Sequence, residues 1–254
     1  MILHARIVGE GTPLLILHGY FGMGDNWKSI GAKLSDRFQV HLIDQRNHGR
    51  SFHSDDFDYE LLVEDLVAYI MHHQLKKVVL LGHSMGGKVA MLFAVTYPEM
   101  VSKLIVADIS PRFYPPHHHQ ILEALSDVDF SVQNSRKEVE EVLSKKIDEP
   151  GVRQFLLKNV YWKEKGQLGY RFNIDSLTEN NDEVGEALPS FTDYDGPTLF
   201  LKGENSGYIS ESDRGLIRAH FQKAEIKTVK NAGHWLHAEK PDIVSKLTKK
   251  FLSQ

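Results

Sequence analysis

Lys77-Val78-Val79-Leu80-Leu81-Gly82-His83-Ser84-Met85-Gly86-Gly87 decides how the rest of the chain is read. A β-branched, apolar run stops at Gly82, and Ser84 sits between two glycines spaced G-x-S-x-G. Lys88-Val89-Ala90-Met91-Leu92-Phe93-Ala94 then resumes as a helix. The order is strand, tight turn, helix, with Ser84 at the apex. In so sharp a turn a Cβ at Gly82 or Gly86 would collide with neighbouring backbone, so both positions need glycine. Ser84 is lifted off the end of the strand, its hydroxyl accessible and the N–H groups beside it at a helix N-terminus. A bare G-x-S-x-G arises by chance in roughly one chain in ten of this length. The strand before it and the helix after it argue against chance. Ser84 is the candidate nucleophile.

Outward from this turn, short apolar runs alternate with amphipathic ones, the pattern of βαβ units and a mostly parallel sheet flanked by helices. Leu14-Leu15-Ile16-Leu17, Val40-His41-Leu42-Ile43, Leu104-Ile105-Val106-Ala107, Thr198-Leu199-Phe200-Leu201 and Ile226-Lys227-Thr228-Val229 read as strands. Helices are expected from about Asp25, as N-cap, to Leu34, and from Leu61 to Ile70. A closing helix begins at Pro241 and buries Val244, Leu247 and Phe251. Between Pro111 and Ser190 the alternation stops. That stretch reads as helical, with at most a short strand at Tyr170-Arg171-Phe172 and a capping box at Ser135–Glu138. The expected organisation is a core of residues 1–110 and 191–254, with 111–190 inserted as a helical cap over the strand C-terminal ends.

Composition narrows the function classes. The 254 residues suit one large α/β domain, and 41% apolar residues suffice for its core. A formal charge of -4 argues against nucleic acid or an anionic membrane as partner. With no cysteine, thiolate catalysis, disulfides and Cys-ligated metal are excluded. The N-terminus lacks the apolar stretch of a signal peptide, and no run reaches the roughly 18 apolar residues of a membrane span. The expectation is a soluble, cytoplasmic protein, monomer or homodimer, acting on a small molecule. His117-His118-His119 does not make a metal site by itself, since consecutive side chains at a helix start point apart and no acidic partner has ligand spacing.

Serine is a weak nucleophile and needs a base within hydrogen-bond reach. His234, in Asn231-Ala232-Gly233-His234-Trp235-Leu236-His237, lies just past the last strand, where a histidine can accept a proton near neutral pH and return it.

Four segments together resemble the α/β-hydrolases: His18-Gly19-Tyr20-Phe21-Gly22, Asp44-Gln45-Arg46-Asn47-His48-Gly49-Arg50-Ser51, the Ser84 turn and Gly233-His234-Trp235, in that order. Arg46-Asn47-His48-Gly49, Asp108-Ile109-Ser110-Pro111 and His234 to Pro241 look most like the YbfF-type esterases. The resemblance implies an α/β-hydrolase fold, an acyl-enzyme on Ser84 and hydrolysis of esters or acyl-CoA thioesters without a cofactor, and the aromatic residues and cap expected around the pocket favour short or medium acyl chains. It implies an oxyanion hole from the N–H groups of Met85 and Tyr20, with Phe21 next in line. His18 and His83 read as structural, and Asp44–Ser51 as a loop bracing the site.

The acid departs from the commoner pattern. After the penultimate strand, where many α/β-hydrolases carry aspartate, this chain has Ser206. Glu204 and Asp213 lie nearby, but Asp108, one strand earlier, is the placement some relatives use. Adjacent strands are only about 4.8 Å apart, so an acid displaced by one strand still reaches the histidine. Trp235 and Tyr208 adjoin these motifs and are the candidate substrate-binding residues. Two other readings use the same residues: a carbon–carbon bond hydrolase or lyase, and a non-catalytic ligand receptor.

Overall fold

A computed structural model describes residues 1–254. The chain runs β1 (Ala5–Val8), β2 (Thr12–Leu17), α1 (Lys28–Leu34), β3 (Phe38–Ile43), α2 (Tyr59–His72), β4 (Val78–His83), α3 (Met85–Thr96) and β5 (Val101–Ala107). An excursion follows, with α4 (His119–Ser126), α5 (Arg136–Leu143), α6 (Pro150–Leu157), β6 (Val160–Glu164), β7 (Gln167–Tyr170) and α7 (Ile174–Glu179). The chain then returns through β8 (Thr198–Gly203), α8 (Asp213–His220), β9 (Ala224–Val229), α9 (Leu236–Glu239) and α10 (Pro241–Leu252).

Seven strands form the main sheet in the order β1-β3-β2-β4-β5-β8-β9. All neighbours are parallel except β1, which runs antiparallel to β3. The central strands read as unbroken apolar runs because both faces are covered. Leu14 and Ile16 face Trp27, Ile30 and Leu34, while Leu15 and Leu17 face the side packed by α2 and α3. In register, Leu17 pairs with Gly82, His83 with Ala107, and Ala107 with Leu201. The loops leaving β2, β4, β5 and β8 therefore emerge side by side at one sheet edge, where open α/β sheets carry their ligands.

Three local readings need correction. β1 has no counterpart among the expected strands, because an edge strand with exposed residues has no continuous apolar run. Asp25 is not an N-cap: a 3₁₀ turn at Gly24–Trp27 precedes α1, and Asp25 lies inside it, paired with Lys28 at 2.7 Å. The excursion is not all helical, since β6 and β7 form a hairpin that turns at Gly166, whose φ of 85° suits glycine. Its strands are short and half exposed, and β6 ends in Lys163 and Glu164, so they lack the apolar signature of a core strand. The Ser135–Glu138 capping box is present, with both reciprocal bonds formed.

The two crossings that join the excursion to the sheet lie against each other. Leu188 N–H donates to the Pro111 carbonyl at 2.9 Å, and Tyr114 N–H to the Gly185 carbonyl at 2.8 Å. Beneath them the Lys88 ammonium, one turn past Ser84 on α3 and only 1% exposed, donates to the carbonyls of Pro111, Arg112 and Glu186. Burial and the Arg112 guanidinium push its pKa down to about 7, against the opposing pull of Glu186.

Candidate active site

Ser84 sits at the β4–α3 turn with φ 52° and ψ −120°, a left-handed conformation that a non-glycine residue holds only when its surroundings impose it. The surroundings are tight. A Cβ on Gly82 would lie 2.1 Å from the Gly86 carbonyl oxygen, and one on Gly86 would lie 2.5 Å from the carbonyl oxygens of Leu17 and His18. The Ser84 N–H is tied to Ala107 of β5 at 3.0 Å. Both glycines of the motif thus serve close approach of backbone to backbone.

His234 follows β9 and turns back over the sheet edge. Its Nδ1 is 2.9 Å from Oδ2 of Asp108, which is fully buried at the end of β5. Asp108 also adopts a positive φ, 54°, and its N–H donates to the Leu201 carbonyl. The carboxylate's other oxygen, Oδ1, accepts the Gly203 N–H at 2.8 Å. Ser206, at the position where the commoner pattern has aspartate, donates its hydroxyl to Asp108 Oδ2. Glu204 instead accepts from the Asn231 N–H at 2.8 Å, and Asp213 binds Ser210 and Arg112, so neither touches the histidine.

Two buried histidines hold the loop after β2. His18 Nδ1–H donates to the Gly19 carbonyl at 2.8 Å, and its Nε2 accepts the Gln45 N–H at 3.0 Å. His48 Nδ1–H donates to the Arg46 carbonyl at 2.9 Å, and its Nε2 accepts the Phe21 N–H at 3.2 Å. Each is a neutral imidazole with one donor and one acceptor used. Burial pushes His18 down to about 4 and His48 to about 3. The Phe21 N–H is therefore engaged and does not face a ligand. The Tyr20 N–H donates to no protein acceptor, and the Met85 N–H is the first of α3, without an intrahelical partner. Tyr20 is further anchored by its hydroxyl, which donates to the Leu177 carbonyl of the excursion at 2.7 Å. The Asp44–Ser51 loop does brace this edge: Asp44 accepts from the N–H groups of Gly24 and Arg50, and Asn47 reaches Ser176.

A cleft of about 250 Å³ opens over these groups. The sheet edge contributes Ser84, His83, Tyr20, Tyr208, His234 and Trp235, and the excursion contributes His117, His118, Ile121, Val152, Phe155 and Leu156. None of its lining residues is Asp, Glu, Lys or Arg. Burial holds His83 well below its ordinary value and His118 and His237 near 3, so these rings face the cleft uncharged. His83 Nε2–H donates to the His234 carbonyl at 2.9 Å, a structural task. In the histidine run, His117 bonds Pro115 and Tyr208, while His118 packs edge-on to Tyr20 and Phe21. His48 and Ser206 are the site residues that motif reading left without a task. The only sequence signal for Ser206 was an expected carboxylate that is not there, and His48 had none beyond its turn-rich loop.

Comparison with known proteins agrees with this architecture. A family model described as the alpha/beta hydrolase fold matches residues 12–141. The sn-1-specific diacylglycerol lipase ABHD11 of Danio rerio is 41% identical, over 94% of this chain and 78% of that protein. Esterase YbfF of Escherichia coli is 33% identical, over 96% of this chain and 94% of that protein. A solved structure described as a marine microorganism esterase superposes with a TM-score of 0.95 at 46% identity, over 99% of both chains. A strained serine elbow, a histidine after the last strand and these relatives over nearly the whole length converge: the chain belongs to the α/β-hydrolase superfamily, among the YbfF-type esterases.

Proposed function

We propose that this protein is a serine hydrolase that cleaves uncharged carboxylic esters, and thioesters by the same chemistry, through an acyl-enzyme on Ser84. One observation carries the reading: the imidazole of His234 stands between a buried carboxylate, Asp108 at 2.9 Å, and the cleft that holds the Ser84 elbow. The Asp108 contact keeps the proton on Nδ1 and leaves Nε2 to take the serine proton. His234 then returns that proton to the leaving group, and water repeats the cycle on the acyl-enzyme. The N–H groups of Tyr20 and Met85 are the donors for the charge that develops on the carbonyl oxygen. The relatives named esterase and diacylglycerol lipase support ester bonds as the target. The absence of fixed charge around the cleft supports a neutral acyl group, and its limited volume a short or medium one.

A fluorophosphonate should label Ser84, identified by mass spectrometry of the modified peptide. Ser84→Ala should escape labelling and lose about 10⁴-fold or more in kcat toward p-nitrophenyl esters, with its fold intact. Labelling elsewhere, or activity retained in Ser84→Ala, would refute the mechanism. Repeated turnover of these esters separates a hydrolase from a ligand receptor, which would stop after one.

A further inference from the structure

Tyr208 lies flat against the catalytic histidine. Its ring centroid is 3.8 Å from that of His234, with the two planes 14° apart. The backbone on either side is fixed, with the Tyr208 N–H donating to Ser206 Oγ at 3.2 Å and its carbonyl accepting the Tyr114 hydroxyl at 2.5 Å. The phenol is fixed too, and the direction of its bond can be worked out. The Pro115 carbonyl can only accept, so His117 Nδ1, 3.0 Å away, carries a hydrogen. In a neutral His117, Nε2 is then the acceptor, and the Tyr208 O–H donates to it at 2.7 Å. A donating phenol has a more electron-rich ring, and it is the face of that ring that His234 meets.

We infer that Tyr208 is a positioning residue for His234, whose π face fixes the plane of the imidazole and favours its protonated form in each half-reaction, with His117 of the cap orienting the phenol. The inference rests on His234 as the general base. An imidazole between hydrogen bonds at one nitrogen only can still rotate or tilt, and the stacked ring removes that freedom. When the imidazole takes the serine proton it becomes a cation over an aromatic face, an attraction that the neutral ring does not have to the same degree. The phenol itself stays neutral, since burial and the Asp108 carboxylate push it up to about 12. The other groups around His234 do not supply this contact. Asp108 from the end of β5 acts in the ring plane, and His83 from the end of β4 is tilted at 4.7 Å. His118 and His237 interact with it without ring contact, Trp235 is tilted at 6.3 Å, and the Arg112 guanidinium is near enough to act on Tyr208.

The test is the NMR titration of His234, assigned by comparison with His234→Asn, in the full chain. Tyr208→Phe keeps the π face and should move the midpoint by less than about 0.3 pH units. Pentafluorophenylalanine at position 208 keeps the shape but inverts the ring's charge distribution, and Tyr208→Leu removes the ring. Both should lower the midpoint by about half to one pH unit and kcat by about 3- to 10-fold, with KM changing less. Midpoints equal within about 0.2 pH units across all four proteins, or a change confined to KM, would overturn the inference and leave Tyr208 as a wall of the cleft. The isosteric analogue guards against misfolding. The titration needs no turnover, so a failure of Ser84 labelling would refute the hydrolase reading without deciding this one.

Discussion

The Ser206 hydroxyl and the His234 Nδ1–H converge on the same oxygen of Asp108, Oδ2. The serine occupies the position where the commoner arrangement has its acid, and it donates to the carboxylate that stands one strand earlier. Asp108→Asn should therefore cut kcat by about 10⁴-fold, because the amide favours the wrong imidazole tautomer and cannot balance an imidazolium. Adding Ser206→Asp to Asp108→Asn should recover at least about tenfold of that loss, since the two side chains are in contact. Glu204→Gln should cost under about tenfold. Steady-state kinetics on p-nitrophenyl butyrate decide it: an active Asp108→Asn beside a dead Glu204→Gln would put the acid after β8 and refute the assignment to Asp108.

His48 is predicted to matter without touching substrate. Its Nε2 is the acceptor for the Phe21 N–H, and that bond sets the loop carrying the Tyr20 N–H. His48→Phe leaves a buried donor unpaired, a cost of about 1–3 kcal/mol. It should lower kcat by about tenfold as Tyr20 drifts from the oxyanion position. His48→Gln, whose amide oxygen can accept the same bond, should retain most activity. Equal losses in both variants would argue for simple packing.

Charge on the acyl group should be rejected. An unpaired carboxylate in a cleft without a cation loses its hydration with nothing in return. The kcat/KM for p-nitrophenyl hemisuccinate should fall at least about 100-fold below that for p-nitrophenyl butyrate, which corresponds to about 2.7 kcal/mol. Comparable values for the two esters would show that a cation reaches the acyl site.

Stability should fall on mild acidification. An unfolded histidine takes up its proton near 6.5, whereas burial depresses His18 to about 4 and His48 and His118 to about 3 in the native protein. Between those values the unfolded chain binds more protons, so stability that is intact above pH 6.5 is lost as pH drops toward 4. Each such group weighs about 2 kcal/mol at pH 5. Urea midpoints measured at pH 7 and pH 5 should differ accordingly. His118→Phe, which keeps an aromatic ring beside Tyr20 and Phe21, should flatten the difference. A wild-type midpoint unchanged between the two pH values would contradict these burials.

The sheet was legible because its central strands are covered on both faces, and the Ser84 turn because steric demand at Gly82 and Gly86 leaves a local pattern. What escaped was either short and half exposed or non-local. β1 and the β6–β7 hairpin lack an apolar run, and the 3₁₀ turn before α1 begins without a side-chain cap. In the site, Ser84 and His234 stand out by their order relative to strands. The bond from Ser206 to Asp108 spans 98 positions and the stack of Tyr208 on His234 joins two separate loops, so no spacing rule reports either.

The ammonium of Lys88 has a consequence for how molecules reach the cleft. A lid that swings needs its two attachment segments to be free to pivot, and here both are riveted to the helix that follows Ser84 by one side chain. Rotating the excursion as a rigid door would strip three carbonyls and a buried amino group of their partners at once, which makes it an expensive route to admit a small ester. A change of side-chain rotamer at Ile121, Val152 or Phe155, which line the cleft from α4 and α6, breaks none of these bonds and is the cheaper way to widen it.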